Sequence, residues 1–296
     1  METPRTNRLA KAQAEISNEE VWHGELAFIH SVLAQVSLPY RNLGDTRTYE
    51  RTSGGFSVLV EAGQVWDIGQ FPPKWHPLAL PFGTRARLIL LHLGSLAVKQ
   101  QSPVVEVEPS FTSFCREIGI THTTGNNLAS VREQLNRLAV LSVRLSADLG
   151  GNKTAVFQGH IFENLSVVFT NHPKQLPIWA SQVKFSPRFY QSLREHAIPL
   201  DFRAIKALQH SARAIDIYCW LASRLWRLDR PIDIKNSSLQ RQFGFGTLTH
   251  SHSSAFMTAL GQVLNVYPTA KVEPIDGGVR LFPSPPPIKP KQSLLP

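Results

Sequence analysis

Thr123 and Thr124, followed by Asn126, Asn127, Ser130, Gln134 and Arg137, place hydrogen-bonding side chains at the opening and along one face of an apolar-periodic segment. Asn and Gln pair bidentately with adenine, Arg pairs with guanine, and amides left open at a helix start attract phosphate. The chemistry these types offer is major-groove recognition of duplex nucleic acid. A second set, His252, Ser253, Ser254, Thr258 and Gln262, holds the matching places later in the chain, without charge. Lys153 beside one Gly-Gly turn, and Lys271 and Arg280 around another, put cations on hairpins where phosphates could be met. The same Thr and Asn residues would equally serve as helix caps above a solvated face.

Other chemistries find less support. Gly54-Gly55 and Gly150-Gly151 lack the Gly-Lys-Ser/Thr ending of a nucleotide-binding loop. His250 and His252 have no neighbouring carboxylates or cysteines to complete a metal site. Tyr190 and Tyr218 suit buried helix faces better than a nucleophile's role, and Tyr218, Trp220 and Trp226 suit core better than a stacking platform. No catalytic residue, metal or cofactor is expected. Cys115 and Cys219 fall on apolar helix faces and read as small buried hydrophobes.

The elements that must position these residues occur twice. A pattern between Arg85 and Leu138 returns without a gap between Arg213 and Val266, matching Arg85/Arg213, Ile89/Ile217, Leu93/Leu221, Pro103/Pro231 and Ser110/Ser238. Each copy predicts a helix, a proline-led strand, two further helices and a hairpin, which is winged-helix order. The first copy comprises helix 84–99, strand 104–107, a Ser110-capped helix closed by Gly119, helix 126–139, and strands 142–149 and 155–169. Its last helix buries Leu128, Val131, Leu135 and Leu138, leaving Asn127, Ser130, Gln134 and Arg137 to face away. The second comprises helix 212–228, strand 232–234, a helix opened by Ser237 or Ser238, helix 253–266, and a hairpin around Asp276-Gly277-Gly278. Before them, residues 1–16 predict a flexible basic arm and residues 18–37 an apolar-faced helix. The fold class expected is α+β with two tandem winged-helix domains, at 17–182 and 183–283, and a Pro-rich extended tail over 284–296.

With 296 residues, 42% of them hydrophobic, the chain can build two cores. A net charge of +9 and a pI near 9.8 favour a polyanionic partner, nucleic acid ahead of an anionic membrane surface. No apolar run approaches the roughly 18 residues of a spanning helix, and no signal peptide is apparent, so a soluble intracellular protein is expected.

Several stretches resemble, in order, the plasmid-encoded RepA-type replication initiator family of bacteria. They are Leu38-Pro39-Tyr40-Arg41, Leu80-Pro81-Phe82-Gly83-Thr84, Phe114-Cys115-Arg116-Glu117-Ile118-Gly119, Pro199-Leu200-Asp201-Phe202-Arg203-Ala204, Ala214-Ile215-Asp216-Ile217-Tyr218, Leu239-Gln240-Arg241-Gln242-Phe243-Gly244, Val266-Tyr267-Pro268 and the run Leu281 to Pro287. The resemblance implies a bacterial cytoplasmic protein that binds repeated sequences at a plasmid origin, helps open the duplex and recruits host replication proteins; related initiators often repress their own promoter. Partners open to it are double-stranded DNA, a host replicative helicase or its loader, and a second copy of the chain. Where the family's second recognition helix opens with basic residues, this chain has His252-Ser253-Ser254-Ala255. Three rival readings remain at this point: a winged-helix repressor without melting activity, a metal-dependent nicking replicase, and an adaptor that uses the apolar helix 18–37 for partners.

Overall fold

Leu9, Ala12 and Ile16 recur at helical spacing, and the computed structural model, which describes residues 4–19, 21–67, 71–164, 179, 182–244 and 250–288, forms helix α1 over Pro4–Asn18. The expected flexible arm is therefore helical: Leu9 and Ala12 bury against later helices, and Arg8 Nε donates to Ala207 O at 3.1 Å. The expected helix 18–37 is also corrected. Strand β1 (Leu26–His30) and the short helix α2 (Ser31–Gln35) stand there instead. An apolar run with both faces buried has no period that separates strand from helix, and the distant segment Ala197–Asp201 supplies an antiparallel partner. Strands β2 (Thr48–Ser53) and β3 (Phe56–Glu61) form one hairpin, β4 (Gln64–Asp67) and β5 (Lys74–Pro77) another.

Helix α3 (Gly83–Lys99) is buried on almost every face. It leads to β6 (Val104–Glu106), α4 (Phe111–Glu117), α5 (Gly125–Ala139) and the hairpin β7 (Ser142–Gly150) and β8 (Lys153–His160), then β9 (Phe162–Asn164) and β10 (Gln182–Phe185). Strand 155–169 was expected as one piece; it divides at Ile161, and residues 165–169 lie outside the described set.

Ser186 and Pro187 open α6 (Pro187–Glu195) as a capped start should. Next come β11 (Ala197–Asp201), α7 (Phe202–Leu208) capped by Asp201, and α8 (Ala212–Arg224) capped by Ser211, buried continuously from Ala214 to Ser223. Strand β12 (Ile232–Lys235) leads directly into α9 (Asn236–Phe243), so neither Ser237 nor Ser238 is the cap. Helix α10 (His250–Val266) and the hairpin β13 (Val272–Ile275) and β14 (Gly278–Leu281) complete the second copy. The tail to residue 288 is extended but pinned: Tyr267 Oη donates to Pro285 O at 2.8 Å and Ser284 Oγ accepts from Lys271 N–H at 3.0 Å.

The repeat holds element by element through the helices, giving two tandem winged-helix units whose apolar side chains share one continuous core. Sheet pairing then separates them. In the second unit β12 joins its own hairpin in the order β12-β14-β13. In the first unit β10 intervenes between β6 and β9, and the β7–β8 hairpin instead extends β2–β3 into a four-stranded sheet.

Candidate nucleic-acid interface

The first unit's helix-turn-helix is held by local chemistry. Ser110 and Ser113 form a reciprocal capping box at the start of α4. At its end Gly119, with φ +93°, lets its N–H reach Arg116 O and the Ile120 N–H reach Cys115 O, a Schellman closure that a side chain at 119 would strain. The turn delivers Thr124 as N-cap of α5. Its side chain makes no capping bond, so its hydroxyl and the first amides of the helix stay open to an anion.

Thr124 and Asn126 are exposed, and Thr123 and Ser130 half-buried. Asn127 is engaged within the fold: Oδ1 accepts from Arg85 Nη2 at 2.7 Å and Nδ2 donates to His122 O at 2.8 Å. Gln134 and Arg137 are 1% and 7% exposed, and this withdraws them from the expected base-reading set. Gln134 Oε1 accepts the Phe82 N–H at 2.8 Å. Arg137 donates to Leu80 O at 2.9 Å and to Glu133, with its guanidinium over the Phe82 ring. The physical reason is helical phase. Residues 127, 134 and 137 form a stripe turned towards the start of α3, half-buried Ser130 lies at its edge, and the outward stripe is Asn126, Ala129 and Glu133. Ala129 and Glu133, exposed on that outward stripe, carry no sequence signal for DNA contact, since neither an alanine nor an acidic side chain advertises one.

Beyond α5 the chain enters the wing. Gly150, Gly151 and Asn152 turn through positive φ and present Lys153, exposed, at the tip. The register shifts between Asp148 and Gly150, and Leu149 at that shift is 64% exposed. Pairing with β3, together with the Asp148 N–H to Gly55 O bond of 2.8 Å, supports this wing from the side.

In the second unit the side chains of His252 and Ser253 lie outside the described residues. Ser254 and Thr258 are exposed on α10 and Gln262 is half-buried. Lys271 is exposed at the base of the hairpin. Arg280 is exposed too, but its guanidinium is bidentate to Asp233 across the β12–β14 pair, at 2.7 and 2.9 Å. That partner holds the Asp233 carboxyl below its usual range, so Arg280 meets a phosphate only in competition with Asp233.

A further feature went unread in the sequence. The β4–β5 hairpin exposes Trp66 and Trp75, edge to face at 5.4 Å, and its base is clamped by Arg47 donating to the carbonyls of Ala62, Gly63 and Leu78. It rises beside Val140, at the end of α5 opposite Thr124. Tyr190, Tyr218 and Trp220 are core, as their helical spacing predicts, whereas Trp226 is exposed beneath Arg227. Both cysteines are buried, and burial pushes the Cys115 thiol up to about 12. Among the described residues no three His, Cys, Asp or Glu side chains are grouped as a metal ion requires, and no helix is long and apolar enough to cross a membrane.

Solved structures of domains 2 and 3 of RctB share this architecture. One, a selenomethionine derivative, is 12% identical over 85% of this chain and 96% of its own, with a TM-score of 0.53. Another is 12% identical over 84% and 94%, with a TM-score of 0.50. At that identity the likeness is one of fold. No curated protein matches the chain in sequence. The family model described as plasmid-encoded RepA protein matches residues 80–238, slightly more than half the chain and the span that runs from the start of α3 through the first hairpin to the first residues of α9. With that match and the ordered motifs it contains, the chain belongs to the plasmid-encoded RepA family of replication initiators.

Proposed function

We propose that the protein is a plasmid replication initiator that binds repeated sequences at the origin, promotes opening of the duplex and recruits host replication machinery, without catalysing a reaction itself. The observation that carries this reading is the doubled helix-turn-helix, each copy ending in a hairpin that bears cations. In the first unit, carried by residues 17–182, Thr123, Thr124, the α5 amides and Lys153 take phosphates while Asn126 and Ser130 face base edges. Asn127 acts through its fixed amide. In the second, residues 183–283, the start of α10 with Ser254, Thr258 and Gln262 makes the weaker contact, assisted by Lys271. Opening of the duplex is driven by binding energy.

The experiment is a footprint and a titration of purified protein on origin repeats and on random duplex at matched salt. Preferential, salt-dependent protection of the repeats is expected. Equal affinity for random duplex refutes the reading. Permanganate reactivity of thymines beside the occupied repeats then separates an initiator, which unpairs them, from a repressor, which only occupies them.

A further inference from the structure

Arg87 and Asp216 meet where the first helices of the two units, α3 and α8, pack together. Nε and Nη2 of Arg87 donate to the two carboxylate oxygens at 2.7 and 2.8 Å. Nη1 donates to Pro39 O at 3.1 Å and Gly83 O at 2.8 Å, and Nη2 also to Leu38 O at 2.7 Å, so all five guanidinium N–H groups are used. Both side chains are almost fully buried, at 4% and 7%, and the Tyr40 ring lies 4.8 Å from the guanidinium. Burial works against the charge on Arg87, and Asp216 more than offsets it.

An ion pair this deep is a poor source of stability, because desolvating two charges cancels most of their attraction and apolar replacements often fold as well. What a bidentate fork supplies is one geometry, fixing the angle and the register of the helices it joins. Each DNA-facing helix is in turn tied to its own side of that joint. Gln134, Arg137 and Asn127 of α5 bond to Phe82, Leu80 and Arg85, within two turns of Arg87. On the other side Trp220 of α8 packs on Phe243 at 5.3 Å, Phe243 on Phe256 of α10 at 5.7 Å, and Arg213 Nε donates to Phe243 O at 3.2 Å. Arg51 closes the frame by donating to Gln242 O and Gly244 O at 2.6 and 3.1 Å.

We propose that the buried Arg87–Asp216 pair determines spacing specificity: it sets the separation and rotation of the two DNA readers, so that one protomer accepts a single spacing between the two halves of its repeat. This rests on the DNA-reading function proposed above. The two halves are first located by footprint, and duplexes are then made with 2, 5 or 10 base pairs inserted between them. The native protein should bind each insertion about tenfold more weakly. The 10-base-pair insertion should not recover, because a full turn restores phase but adds about 34 Å that a rigid frame does not span.

The R87M/D216L double variant should bind each isolated half as the native protein does, while the 2-base-pair penalty falls to about threefold or less. A merely structural pair would leave that penalty unchanged. R87K, which keeps the charge and loses the fork, should be intermediate and carries the test if the double variant does not fold. Equal penalties in native and variant proteins, or a native protein that binds the repeat regardless of spacing, overturn the proposal. A native protein that binds no repeat refutes the DNA-reading function, and the spacing role falls with it.

Discussion

Gln134→Ala separates a helix that reads DNA through its Gln134 face from one that packs with it. The side chain is 1% exposed, and its Oε1 is the acceptor for the Phe82 N–H at 2.8 Å. Phe82 is the N-cap of α3 and has no side-chain cap of its own, so truncation leaves a part-buried donor without its protein partner. That costs about 1–3 kcal/mol, and the lost methylene packing adds about 0.8 kcal/mol. A destabilisation of about 2–4 kcal/mol corresponds to a fall in Tm of roughly 3–6 °C for a chain of this size. Asn126→Ala is the mirror case. It is exposed, so stability should stay within about 0.5 kcal/mol, while loss of a bidentate base contact weakens specific binding by about 1–3 kcal/mol, roughly 5- to 150-fold. Thermal unfolding without DNA and anisotropy titration on the repeat read the two effects separately. A Gln134→Ala protein with unchanged Tm and tenfold weaker specific binding would refute the assigned phase of α5.

Three further expectations use other parts of the structure. Lys153→Ala at the exposed wing tip should weaken binding by a similar factor on every sequence and reduce the slope of log K against log salt by about 0.9; a change confined to the cognate repeat would show that Lys153 reads bases. Asp233→Asn releases Arg280 from its bidentate partner, so the salt slope should rise by about one contact, and no change would show that the second wing stays off the phosphates. His30 is held neutral by burial and by the nearby His196, with its pKa lowered to about 4; Nδ1 accepts the Val32 N–H and Nε2 pairs with Ser192 Oγ. The unfolded chain takes up this proton near pH 6.5, so His30 lends full stability above that pH and loses it as pH falls towards 4, a decline of roughly 3 kcal/mol. Urea unfolding at pH 7, 5.5 and 4.5 should show that decline shrinking in His30→Asn, and an identical pH dependence in the variant would dismiss His30 as its source.

Much of the scaffold was legible because it rests on local signals. The 3.6-residue period of α3, α5 and α8, the Ser110 cap, Gly119 and the Gly-Gly and Asp-Gly turns each act within a few residues, and their recurrence exposed the doubled unit. Segments whose conformation is decided by distant partners were not legible. Leu26–His30 is a strand because β11 lies beside it, and β10 enters the first unit's sheet from beyond the hairpin. The basic N-terminal segment is helical because Leu9 and Ala12 find a surface made by α7 and α10. The site was half legible for a related reason. Polar residues at helical spacing mark a stripe, but Gln134 and Arg137 show that a polar stripe can be satisfied inside the protein by backbone groups with no sequence signature.

Under the proposed DNA-binding function, the same groups would make the two copies of one unit unequal readers. In the first unit the polar stripe of α5 is spent on holding that helix to α3, which leaves a small outward face of Thr124, Asn126 and Ala129 on a stiff support. Its wing, broadened by β2 and β3, keeps Lys153 at the tip. In the second unit the helix start is uncharged and the wing's Arg280 is already matched by Asp233. Phosphate affinity should therefore concentrate on the first unit, and the second should add discrimination mainly when the frame sets it at the right distance. A weak second reader contributes little to a single half-repeat but much to the choice between spacings, because its contacts are either all made or all lost. That division gives the buried joint between α3 and α8 a functional reason to be ionic, where an apolar contact would have served stability as well.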